Sequence, residues 1–74
     1  MKTESKIVKA ARVASGITQE QAAKVIDVSA PTYIAREKVP KAFTIDELER
    51  LHDAFNQDGR KIIESYVREI FLHR

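Results

Sequence analysis

At 74 residues the chain is sized for a single small domain over 1–74, near the lower length at which one apolar core holds a fold without staples. Cysteine is absent, which excludes a disulfide, a thiolate metal site and a cysteine nucleophile and permits a reducing compartment. The start MKTESKIVK has neither an apolar signal core nor a cleavage pattern, and no apolar run exceeds a few residues. The expectation is no membrane insertion, no export and a cytoplasmic location.

Charge is close to balance, 13 basic residues against 11 acidic, but it is unevenly placed. Residues 1–41 carry eight Lys or Arg and four acids, residues 42–59 one Arg and five acids, and residues 60–74 return to a net charge of +2. A basic half suits a polyanion, whereas an acidic segment on the same face would be repelled by phosphates. Ordinary solvated helix faces explain the same pattern equally well.

The first predicted helix starts near Thr3 or Ser5, either able to cap it, and runs through Ser15 to Gly16, a residue free to take the left-handed stop conformation. Ile7, Val8, Ala11 and Ala14 form its core stripe. Thr18-Gln19-Glu20-Gln21 is a capping box that opens a second helix sharply and lets it end near Ile26. Asp27 takes the turn, where an acidic residue tolerates a strained backbone less well than Gly but better than most, and Val28 plugs the turn into the core. Ser29 caps a third helix, spanning roughly Ala30 to Glu37 or Lys38, with Pro31 in the first turn, where a missing amide costs no hydrogen bond.

After a loop from Lys38 to Phe43, a second capping box, Thr44 to Glu47, opens a fourth helix that aligns Ile45, Leu48, Leu51 and Phe55. Asn56 to Gly59 reads as a break. The last helix, over about 60–72, buries Ile62, Ile63, Tyr66, Val67, Ile70 and Phe71. No strand pattern or repeat occurs in the sequence.

Gly16 to Glu37 therefore reads as two short helices joined by a tight turn, the spacing of a helix-turn-helix. Arg12, Gly16, Ile17, Thr18-Gln19, Ala22-Ala23, Val28-Ser29, Thr32-Tyr33 and Glu37 stand in a pattern that resembles the Cro and repressor family of helix-turn-helix regulators, the XRE type, over roughly Ile7 to Phe55. The resemblance implies an all-α, five-helix lambda-repressor-like domain with its motif at about 18–37, acting in gene regulation with no cofactor. It also implies a structural pair of Arg12 with Glu37, an arginine-carboxylate fork locking the tail of helix three against helix one. Four positions depart from the pattern. Asp27 and Val39 stand where glycines are usual, Arg36 where an apolar residue is common, and Ala22 where a larger one is typical.

In such proteins a glutamine opening helix two bonds a phosphate, and residues along the start of helix three meet base edges. Gln19 matches the first role; Ala30, Pro31, Thr32 and Ala35 match the second. Only Thr32 offers a polar group there, beside the cap Ser29, and alanine or proline at best meets a thymine methyl, while a bidentate base pair contact is worth about 1–3 kcal/mol. Lys38 and Lys41, just beyond, suit backbone phosphates. The expected DNA-binding set is thus Gln19, Ser29, Thr32, Lys38 and Lys41, with poor base selectivity. Ala30, Pro31, Ile34, Ala35 and Arg36 make the alternative, a protein-binding edge with Ile34 outward.

No catalytic cluster or glycine-rich phosphate loop occurs in the sequence; His52 reads as a solvated helix residue, His73 belongs to the terminal tail, and no metal is expected. Two functions follow. One is a small phage-type or prophage-type modulator of a genetic switch, an antirepressor or co-repressor in a bacterial host, binding a repressor encoded nearby through helix three with weak DNA contact. The other is a Cro-like repressor on double-stranded operator DNA. An antitoxin of the same fold is a weaker third. The last helix, besides finishing the core, offers a seam for a homodimer.

Overall fold

A computed structural model describes residues 6–72, with side chains as far as residue 69. Among them the elements run α1 (Ile7–Ala14), α2 (Gln19–Val25), α3 (Ala30–Lys38), a 3₁₀ turn (Pro40–Ala42), α4 (Ile45–Ala54) and α5 (Gln57–Leu72). The fold is all-α, with no strand among the described residues.

Local chemistry sets most boundaries. Both capping boxes form: Thr18 Oγ1 accepts from Gln21 N and Gln21 Oε1 from Thr18 N, and the same reciprocal pair joins Thr44 to Glu47. Ser29 Oγ accepts from Thr32 N at the start of α3. Gly16, with φ +69°, turns the chain after α1, and Asp27 takes φ +59° in the turn before α3. Asp27 thus keeps the left-handed geometry a glycine would adopt more cheaply. Val39 does not: its φ is −129°, so the backbone after α3 has moved to a region where a β-branched residue fits.

The start of α1 differs from expectation in one respect. Lys6 stands at the cap with no side-chain bond, while Thr3 and Ser5 lie outside the described residues. Ala14, expected in the core, is exposed.

The last helix is the larger correction. It begins at Gln57, not near Arg60, because Asn56 caps it: Asn56 Oδ1 accepts from Gly59 N at 3.0 Å and Asn56 O from Arg60 N at 2.8 Å. Asn56 also reaches α1, its Nδ2 donating to Ala14 O and its N to Ser15 Oγ, both at 3.1 Å. Gly59 is therefore a contact residue inside the helix. A Cβ there would lie 2.1 Å from Ser15 Oγ and 2.6 Å from Ala11 O.

The core gathers Val8, Ala11, Ala22, Ala23, Ile26, Tyr33, Phe43, Leu48, Leu51, Phe55, Ile63 and Tyr66. Burial of each large apolar side chain contributes about 1.5–3 kcal/mol. α1 packs mainly on α5, α2 on α3, and α4 on α5. Ile62, Val67 and Val28 lie partly buried against this core, as does Ile45, whereas the side chains of Ile70 and Phe71 lie outside the described residues. The arrangement leaves one side of α3 to solvent.

Candidate nucleic-acid interface

The inner side of α3 is closed by one carboxylate. Glu37, buried, accepts from Arg12 Nε (2.8 Å) and Tyr33 OH (2.7 Å) on Oε2, and from Gln19 Nε2 (2.9 Å) and Arg12 Nη2 (3.4 Å) on Oε1. Arg12 Nη1 donates onward to Ile17 O at 2.8 Å, which ties the lock to the turn before α2. Burial opposes the Glu37 charge, but Arg12, Tyr33 and Gln19 together outweigh it and hold the carboxyl below its ordinary range. The Tyr33 hydroxyl moves the other way, raised by burial and by its bond to Glu37. Tyr33 also packs on Phe43, ring centroids 5.7 Å apart. Among the described residues no buried side-chain nitrogen or oxygen lacks a partner.

The outer side of α3 has little polar chemistry. Pro31 and Ala35 are exposed and Ala30 half-buried. Ser29 Oγ donates to Thr32 Oγ1 at 2.8 Å, so the one polar group at the base-reading positions is already bonded to the helix cap. Val39, 52% exposed, follows Ala35 by four residues and extends the strip to Pro31, Ala35, Val39. The spacing was present in the sequence; Val39 was missed because it occupies a glycine position at the helix end and reads as loop.

Two members of the protein-binding edge sit differently from expectation. Ile34, expected outward, is only partly exposed and lines a concavity with Lys6, Lys9, Gln19, Glu37 and Lys38. Arg36 turns toward α4 and forms an ion pair with Glu47, so it does not stand free at the rim. Glu47 is desolvated there, yet its bond from the Thr44 amide and the Arg36 guanidinium hold its carboxyl below the ordinary range. Lys38 and Lys41 are exposed.

His52 is not simply solvated. Its Nε2 lies 2.6 Å from Glu64 Oε2 on α5, and its Nδ1 3.5 Å from Asp53 Oδ1. The contact joins α4 to α5 beside Leu48 and Val67, a bridging role that sequence reasoning could not place because Glu64 is on another helix. His73 lies outside the described residues. Among the described residues there is no group of three metal-binding side chains, and no helix is long and apolar enough to cross a membrane.

Comparison with known proteins finds a family match. A family model described as Helix-turn-helix covers residues 8–62, about three quarters of the chain. No curated protein and no solved structure matches. The matched span runs from Val8 in α1 past the Arg12–Glu37 lock and the whole of α2 to α4 into α5. With its capping boxes, its left-handed turn at Asp27 and this match, the chain belongs to the Helix-turn-helix family of the Cro and repressor type, a family of DNA-binding transcriptional regulators.

Proposed function

We propose that this chain modulates a genetic switch of phage or prophage type by binding a partner repressor through the outer side of α3, with duplex DNA held only through its backbone. The observation that carries the reading is that Pro31 and Ala35 stand exposed at base-reading positions, with Val39 extending their apolar strip past the end of α3. A strip of this kind meets thymine methyls at most, and it meets an apolar protein surface well. Glu49, exposed on α4 within the acidic segment 42–59, is complementary to a basic DNA-binding partner, whereas Asp46 on the same helix is paired with Arg50.

The test is sedimentation of the purified protein with the repressor encoded beside its gene. Ala35→Glu/Val39→Glu is expected to abolish the complex while leaving far-UV circular dichroism unchanged. Tight, sequence-selective binding to the neighbouring intergenic DNA by the protein alone would overturn the reading. A Cro-like operator repressor is the second reading, favoured by the exposed pair Lys38 and Lys41 just past α3.

A further inference from the structure

We infer that the groove between α4 and α5 docks a basic amphipathic helix of a protein partner. Leu48 and Val67, one from each helix, give the groove an apolar floor, Leu48 buried in the core and Val67 half-buried against it. His52, one turn past Leu48, crosses that floor to Glu64 at 2.6 Å and ties the two helices together, so the groove is already formed. Glu49 and Asp53, again one turn apart and both exposed, make the α4 bank acidic. The α5 bank carries Glu64 and, one turn on, Arg68.

Charge decides the occupant. The lining holds three carboxylates against one guanidinium, on a chain whose net charge is +2. Among the described residues Glu49 takes part in no ion pair, and Asp53 has only the 3.5 Å contact with its neighbour His52. An acidic groove on a basic molecule attracts cations at one place while the rest of the surface repels them, and it repels duplex DNA outright. The floor adds a second requirement, an apolar stripe recurring every third or fourth residue, which a helix laid in a groove supplies. Two lysines or arginines one turn apart beside that stripe meet Glu49 and Asp53, and a carboxylate on its other edge meets Arg68, which fixes the direction of the docked helix. No residue of the α3 strip lines this groove. The inference deepens the reading of a protein partner by giving that partner's chemistry, and it rests on that reading only for the existence of such a partner.

The experiment is fluorescence anisotropy with a labelled helical peptide of about 15 residues, roughly four turns, carrying leucines as the stripe, lysines along one edge and glutamates along the other. Saturable binding of one peptide per chain is expected. Glu49→Lys/Asp53→Lys should weaken it about tenfold or more, whereas Glu20→Lys/Glu69→Lys, which reverses the same charge on α2 and α5 outside the lining, should change it little. Equal losses in the two variants, or equal binding of a scrambled peptide of the same composition, would reduce the effect to net charge and overturn the inference. Loss of the peptide on Ala35→Glu/Val39→Glu would move it to the α3 strip and overturn the groove. Self-association of the chain without peptide, abolished by Glu49→Lys/Asp53→Lys in sedimentation, would give the groove to a second copy and overturn it equally. No repressor is present in the measurement, so a failure here leaves the α3 contact standing.

Discussion

The two sides of α3 differ sharply in their chemistry. Its inner side holds a carboxylate with four donors drawn from three helices, every bond between 2.7 and 3.4 Å. Its outer side carries Pro31, Ala35 and a half-exposed Val39, with a single hydroxyl pair at the helix cap. The chemistry that seats the helix is complete, while the chemistry that reads bases is sparse. A helix-turn-helix frame and a base-reading surface are thus separable properties of one helix.

Substitution on the inner side should break that contrast most severely. Glu37→Ala leaves Arg12 buried without its partner and is expected to cost about 3–5 kcal/mol in urea unfolding. Arg12→Met/Glu37→Leu, which removes both charges, should recover most of that loss. Next in size is Gly59→Ala. Helix propensity alone favours alanine by about 1 kcal/mol, but the clash with Ser15 and Ala11 should turn the balance to a net loss of about 1–3 kcal/mol. Asp27→Gly should act in the opposite direction, relieving the left-handed backbone and adding up to about 1 kcal/mol, read as a melting temperature several degrees higher. On the outer side, Ala35→Ser should leave stability within about 0.5 kcal/mol. Should Ala35→Ser prove as costly as the inner substitutions, the contrast between the two sides fails.

Acid sharpens the same comparison. The Glu37 carboxyl titrates lower in the folded than in the unfolded chain, so the stability it contributes is complete above the ordinary carboxylate value of 4.5 and is lost as pH falls through the lower folded value. Glu47, lowered in the same direction, adds to this acid-sensitive contribution. Chemical denaturation from pH 6 downward should show the decline, and Glu37→Gln should flatten much of it. No substitution on the outer side should change that profile.

How far each region was legible in the sequence follows from the range of the interactions that shape it. Thr18, Ser29 and Thr44 bond partners three residues away, so their caps were readable, and the turn at Asp27 is equally local. The start of α5 was not, because Gly59 resembles a helix breaker until Ser15 and Ala11 are brought against it. Ile34 likewise depends on α1, which places Lys6 and Lys9 beside it. Gln19 was assigned outward by resemblance, while its bond to Glu37, eighteen residues on, comes only with the tertiary fold.

That bond has a consequence for recognition as a matter of entropy. A glutamine side chain loses rotamer freedom when a ligand fixes it, and each such side chain costs an association about 0.5–1.5 kcal/mol. Gln19 has already lost that freedom on folding, since Glu37 holds its amide in place. Whatever meets the open end of α2 finds a hydrogen-bonding group oriented in advance, and the cost of ordering it is borne by the fold and not by the complex.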